Sequence, residues 1–173
     1  MSTNTSATGQ QTWLTQEAYD RLKGELDHLS GPYRTEIAAK IEAARDEGDL
    51  KENGGYHAAK EEQGKMDARR RQLAELMRHV VTGPPPATSG AIDQGALVSV
   101  DYGDGDVERF LFGSRENANT DGGKIDLNGE VLDVYSPESP IGQALAGKAK
   151  GDEVKFGPRN ITVKVVDVEP FPA

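Results

Sequence analysis

The chain has 173 residues, room for one or two small domains, with 35% hydrophobic and 28% charged residues. Acids outnumber bases 29 to 20, and the formal net charge of -9 excludes the basic field of a free nucleic-acid binder; any nucleic acid would be held mainly by a partner protein. Cysteine is absent, which excludes disulfides and thiolate metal sites, and no apolar run reaches bilayer length, so no membrane partner is expected.

The first residues, MSTNTSATGQQT, are polar and lack the apolar stretch of a secretory signal; they read as a disordered tail over residues 1–13, and a cytoplasmic location follows. Thr15 can cap a helix, with Glu17 at the positive end of its dipole. Apolar residues then fall at Tyr19, Leu22, Leu26, Leu29, Tyr33, Ile37 and Ile41, one face of a helix, which Gly31-Pro32 should kink or break. A second segment carries Tyr56, Ala59, Gln63, Met66, Arg70, Leu73, Met77 and Val80 at steps of three and four, the spacing of a coiled-coil seam. The two segments, joined by a short turn, predict an antiparallel helical hairpin over residues 14–81, with arms of about 30 residues and about 45 Å that project from the rest of the chain.

TGPPPATSG, Thr82 to Gly90, is incompatible with helix and predicts an extended linker over residues 82–95. Beyond it the hydrophobic period changes to two. Leu97–Tyr102, Val107–Phe112, Val131–Tyr135, Glu153–Phe156 and Ile161–Val168 read as strands, and Ile141–Lys148 as the one helix. Residues 96–173 should therefore form a small antiparallel sheet domain carrying one helix. The fold class is α+β.

The bend, GDLKENGGY from Gly48 to Tyr56, holds the most concentrated chemistry. Asp49 and Glu52 fit a capping box that would satisfy orphan N–H groups at the start of the second helix and needs no function. Other features suit chemistry better. Gly54-Gly55 follows the cap at a cost of about 1 kcal/mol each in a helix. Asp46, Glu47, Asp49 and Glu52 crowd into seven residues. Carboxylates three apart share a helical face and could give oxygen ligands to Mg²⁺, too few unless a second molecule supplies the rest.

From Glu42 to Lys65, EAARDEGDLKENGGYHAAKEEQGK, the chain resembles the Gre transcript-cleavage factors of bacterial RNA polymerase, most nearly their actinobacterial members. WLTQEAYDRLKGEL near the start and SPESPIGQALAGKAKGDEV, Ser136 to Val154, extend the likeness over nearly the whole chain. The resemblance implies an FKBP-like second domain that docks on the polymerase rim helices and a coiled coil that enters the secondary channel. It implies a monomeric transcription elongation factor that stimulates the polymerase to hydrolyse the 3′ end of backtracked nascent RNA. Asp49 and Glu52 would then be the catalytic acids, sharing Mg²⁺ with the polymerase rather than binding it alone. Arg45, Asn53, Tyr56 and Lys60 match positions that contact RNA or position the tip. For Arg45 and Lys60 the alternative is an ordinary exposed cation paired with Glu42 or Glu62, and for Tyr56 packing in the seam. Arg69, Arg70 and Arg71 read as a solvated face. Ser139, Pro140 and Ile141 match the docking region, or else form a structural turn with Ser139 as cap and Pro140 at the first helical position. The chain departs from many members at Gly54-Gly55, usually Ala-Glu, and at the loops Arg115–Gly123 and Gly157–Asn160. Three other functions stand beside this one: a channel-binding regulator or inhibitor without cleavage activity, a stand-alone metal hydrolase, which the exposed tip disfavours, and a prolyl isomerase or chaperone module.

Overall fold

The computed structural model describes residues 11–48, 52–87 and 90–172. The chain divides into two compact units. One holds the residues up to Tyr19 and from Val80 onward, and the other is Asp20–His79. No helix among the described residues is long and apolar enough to cross a membrane.

The helical unit is built from α1 (Gln16–Ser30), whose first turn up to Tyr19 belongs to the other unit, α2 (Pro32–Asp46) and α3 (Gly54–Met77). The Thr15 side chain accepts the Ala18 N–H at 3.1 Å and so starts α1, as the sequence predicts. α1 ends where Gly31 and Pro32 follow, and Pro32 opens α2 at a position where its missing N–H costs nothing. The predicted seam is real: Ala59 and Leu73 are buried on α3, and every other seam position is at least partly covered. Ile37, Ile41 and Ala59 form a small core with Tyr33 and Tyr56 packed against it. Ion pairs fix the antiparallel register. Arg69 grips Glu25 through Nε at 2.8 Å, and Lys40 meets Glu62 at 3.0 Å. Such half-exposed pairs contribute about 0.2–1 kcal/mol each, so they select register more than they hold the unit together.

The other unit contains β1 (Thr12–Trp13), β2 (Val80–Val81), β3 (Ala96–Asp101), β4 (Val107–Phe112), β5 (Ile125–Leu127), β6 (Glu130–Tyr135), α4 (Pro140–Leu145), β7 (Glu153–Phe156) and β8 (Ile161–Pro170). Its main sheet runs β5-β6-β4-β3-β8-β7. Most pairings are antiparallel, as expected, and the exception is β4 with β6, which run parallel. The short strand β5, absent from the sequence reading, reverses the chain between them and makes this pairing possible. Alternation along the strands gives two cores. Val98, Val100, Phe110, Phe112, Val163 and Val165 pack on one face with Ile141 and Leu145 of α4. Leu97, Leu111, Ile125, Leu132 and Val134 pack on the other with Trp13.

Trp13 corrects the end of the tail predicted over residues 1–13, of which residues 1–10 lie outside the described residues. It is 2% exposed, and Thr12–Trp13 pairs in parallel with Val80–Val81. Its indole N–H donates to the Gly83 carbonyl at 3.0 Å, and its backbone N–H donates to Gln94 Oε1 at 2.9 Å. Gly95 makes room for the ring: it has a positive φ of 85°, and a Cβ there would stand 3.3 Å from the indole and 2.3 Å from Pro85 Cβ. Asn117, 1% exposed, accepts the Thr15 N–H at 2.9 Å and donates to the Trp13 carbonyl at 3.4 Å, acting as a side-chain strand partner. The expected linker, residues 82–95, is likewise part of this unit, because Ala87 and Ile92 are core residues and Ile92 exchanges backbone hydrogen bonds with Lys148 and Gly147. α4 stops at Leu145, three residues short of its predicted end, where the Ala146 N–H closes the last turn on the Gly142 carbonyl.

Candidate functional site

Among the described residues, the bend between α2 and α3 is tied by an amide. α3 begins at Gly54, and its N-cap is Asn53, whose Oδ1 accepts the Tyr56 N–H at 3.0 Å. The same side chain donates from Nδ2 to the Ala44 carbonyl in the last turn of α2. One planar amide thus satisfies an orphan donor of one helix and an orphan acceptor of the other. The capping box expected from Asp49 and Glu52 would start the helix earlier, but Glu52 lies in a turn before the cap, outside the helix. Asn wins because it stands three residues before Tyr56 and is as good a cap as Asp, while Gly54 and Gly55 occupy the first helical positions. Asp49 lies outside the described residues.

Glu52 is exposed, and so are Asp46 and Glu47 on the opposite strand of the bend. Carboxylate oxygens are the donors that Mg²⁺ prefers, and a few of them at an exposed bend fit an ion completed by donors from another molecule. Among the described residues no three of His, Cys, Asp and Glu converge on one metal position.

The remaining predicted residues fall around this clamp. Tyr56 packs on the Ile37–Ile41–Ala59 core, the role the seam pattern implies, and its ring meets His57 edge-on at 5.6 Å. The Arg45 guanidinium lies over the Tyr56 ring, 5.7 Å from its centroid, a cation–π contact from α2 to α3. Lys60 is exposed and donates to Gln63 at 3.2 Å, not to a carboxylate. The Glu62 carboxyl is held below its ordinary range, chiefly by the Lys40 ammonium that donates to it. Arg69 is engaged with Glu25, so the three-arginine run is not uniformly solvated.

In the sheet unit, Ser139 is the N-cap of α4. Its hydroxyl accepts the Gly142 N–H at 3.1 Å and donates to the Ser136 carbonyl at 2.7 Å. Pro140 is exposed at the first helical position. Ile141 is 5% exposed and belongs to the core, so of the three docking candidates only Ser139 and Pro140 reach the surface. Gly142 completes this turn and was not singled out from sequence. A Cβ there would stand 1.9 Å from the Ser136 oxygen. The signal was its place two residues after a Ser-Pro helix start, where the chain doubles back on itself.

Two family models cover the chain: "Transcription elongation factor, N-terminal" over residues 12–81 and "Transcription elongation factor, GreA/GreB, C-term" over residues 87–170. Transcription elongation factor GreA of Streptomyces avermitilis is 49% identical over 166 residues, spanning 92% of this chain and 94% of that protein. GreA of Saccharopolyspora erythraea is 50% identical over 166 residues, spanning 94% and 96%. Among solved structures, the GreA factor homolog 1 protein of Thermus thermophilus covers 92% of this chain and 99% of its own at 24% identity, with a TM-score of 0.39.

Proposed function

Because this chain belongs to the GreA/GreB family of transcription elongation factors, we propose that it enters the secondary channel of bacterial RNA polymerase and stimulates hydrolysis of the 3′ end of backtracked RNA. The chain is a cofactor of the polymerase, and the hydrolytic chemistry is the polymerase's own. The observation that supports this reading is the division of labour at the bend. Asn53 takes the capping role at the start of α3, and Glu52 stands exposed in the turn before it.

Asp49 and Glu52 would present oxygen donors to a Mg²⁺ shared with the polymerase. When bound, that ion supplies a Lewis acid and a water of lowered pKa. Asn53 and Tyr56 hold the bend together, while Arg45 and Lys60 carry positive charge beside it for RNA phosphates. Ser139 and Pro140 offer the docking surface for the rim helices, and Ile141 supports them from the core. The protein works as a cytoplasmic monomer in contact with the RNA 3′ end.

The test is RNA cleavage in stalled, backtracked polymerase complexes, comparing the natural protein with Asp49→Asn and Glu52→Gln. The expected result is 3′ shortening by the natural protein, and its loss in both variants while they still compete for the channel. A natural protein that binds and cleaves nothing would make this a regulator on the same scaffold.

A further inference from the structure

We infer that Asn53 is a positioning residue for RNA cleavage, fixing the backbone that carries Glu52; this rests on the function proposed above. Asn53 and Ala44 close a loop of chain that carries Arg45, Asp46, Glu47 and Glu52. The closure needs an acceptor and a donor on one short planar group: Oδ1 for the Tyr56 N–H and Nδ2 for the Ala44 carbonyl. Among side chains of this length only asparagine has both. Aspartate keeps the acceptor but sets a second negative oxygen against the Ala44 carbonyl. Serine keeps a cap and is too short to reach across.

A further contact serves the same clamp. The Arg45 guanidinium over the Tyr56 ring fastens the ends of the two helices a second time. A Cβ at Gly55 would stand 3.4 Å from Asn53 Oδ1, close to ordinary van der Waals contact, so the cap leaves little room there. Glu52 is the immediate neighbour of Asn53, so the clamp fixes the backbone from which its carboxylate extends. The rest of the helical unit is held elsewhere, by Leu73, the Ile37–Ile41–Ala59 core and the Arg69–Glu25 pair. Loss of the tie should therefore move Glu52 far more than it weakens the fold.

The experiment uses Asn53→Asp and Asn53→Ser in the full chain. Aspartate and serine both remain good N-caps, so the start of α3 survives in each. Cleavage of backtracked RNA at saturating protein should fall about tenfold or more, as a reacting group displaced by about 1 Å allows. The half-saturating protein concentration should stay within about twofold, because the docking surface is untouched. In the free protein, amide relaxation at Arg45–Gly48 and Glu52 should show faster motion in both variants and none in the middle of α3. Wild-type cleavage rates in both variants, or unchanged relaxation at the bend, would overturn the inference. If the natural protein cleaves nothing, the proposed function fails, and the relaxation comparison still decides whether Asn53 holds Glu52.

Discussion

Replacing Gly142 by alanine should destabilise the sheet unit severely, although the same change in an ordinary helix gains up to about 1 kcal/mol. The added Cβ would stand 1.9 Å from the Ser136 oxygen, 2.9 Å from its carbonyl carbon and 2.8 Å from Ser139 Oγ. Backbone cannot yield as a flexible side chain does, so the turn must open. Overpacking of this kind costs about 1–3 kcal/mol. Opening the turn also breaks the Ser139 cap on the Gly142 N–H, worth about 1 kcal/mol, and the Ser139–Ser136 hydrogen bond, worth about as much again. The total is about 3–5 kcal/mol. For a unit of about 100 residues each kcal/mol lowers the melting temperature by about 4–8 °C, so the drop should be at least about 12 °C. The single tryptophan, Trp13, lies in the core of this unit, and its fluorescence reports the transition. Gly64→Ala is the control: nothing lies within 4 Å of its added Cβ, and it should be neutral or stabilising by up to about 1 kcal/mol. A Gly142→Ala protein that melts at or above the wild-type temperature would refute the argument.

Asn117→Ala should cost about 1–3 kcal/mol in denaturant unfolding, because it strands the half-buried Thr15 N–H and the Trp13 carbonyl; a change below about 0.5 kcal/mol would show that this amide holds nothing. The Tyr102 and Tyr135 phenols are pushed well above the ordinary value of 10.0, first by burial and then by hydrogen bonds to Glu108. A raised value favours the neutral phenol in the fold, so this stability is complete below pH 10.0 and is lost as pH climbs through the folded value. Phenolate absorbance should show both ionising only with alkaline unfolding, and simultaneous titration of all five tyrosines in folded protein would contradict this. Glu62 is the opposite case: its lowered value places stability above pH 4.5, lost as pH falls, and Lys40→Met should return its carboxyl resonance to the ordinary titration range.

Periodicity revealed the seam from Tyr56 to Val80 because eight positions repeat one step, and the long strands because alternation survives six residues or more. Two-residue strands have no period to read. The partner of Thr12–Trp13 is Val80–Val81, far along the chain, so a polar neighbourhood hid a core tryptophan. The parallel β4–β6 pair depends on β5, a strand of only three residues. At the bend, Asp-x-x-Glu and Asn-Gly-Gly both offer a helix start. Local pattern alone does not choose between them, whereas the reach of Asn53 to Ala44 across the hairpin does. Lys60 meets Gln63 one turn along its own helix, whereas Glu62, two residues on, faces another way and is held by Lys40 from α2, a pairing visible only once the register is known.

The central claim, that the bend lends carboxylates to the polymerase's metal site, is tested most directly by the Mg²⁺ dependence of RNA cleavage in backtracked complexes. The natural protein should lower the Mg²⁺ concentration needed for 3′ cleavage, and Glu52→Gln, bound equally well, should abolish that shift. An identical Mg²⁺ dependence for the two proteins would contradict it.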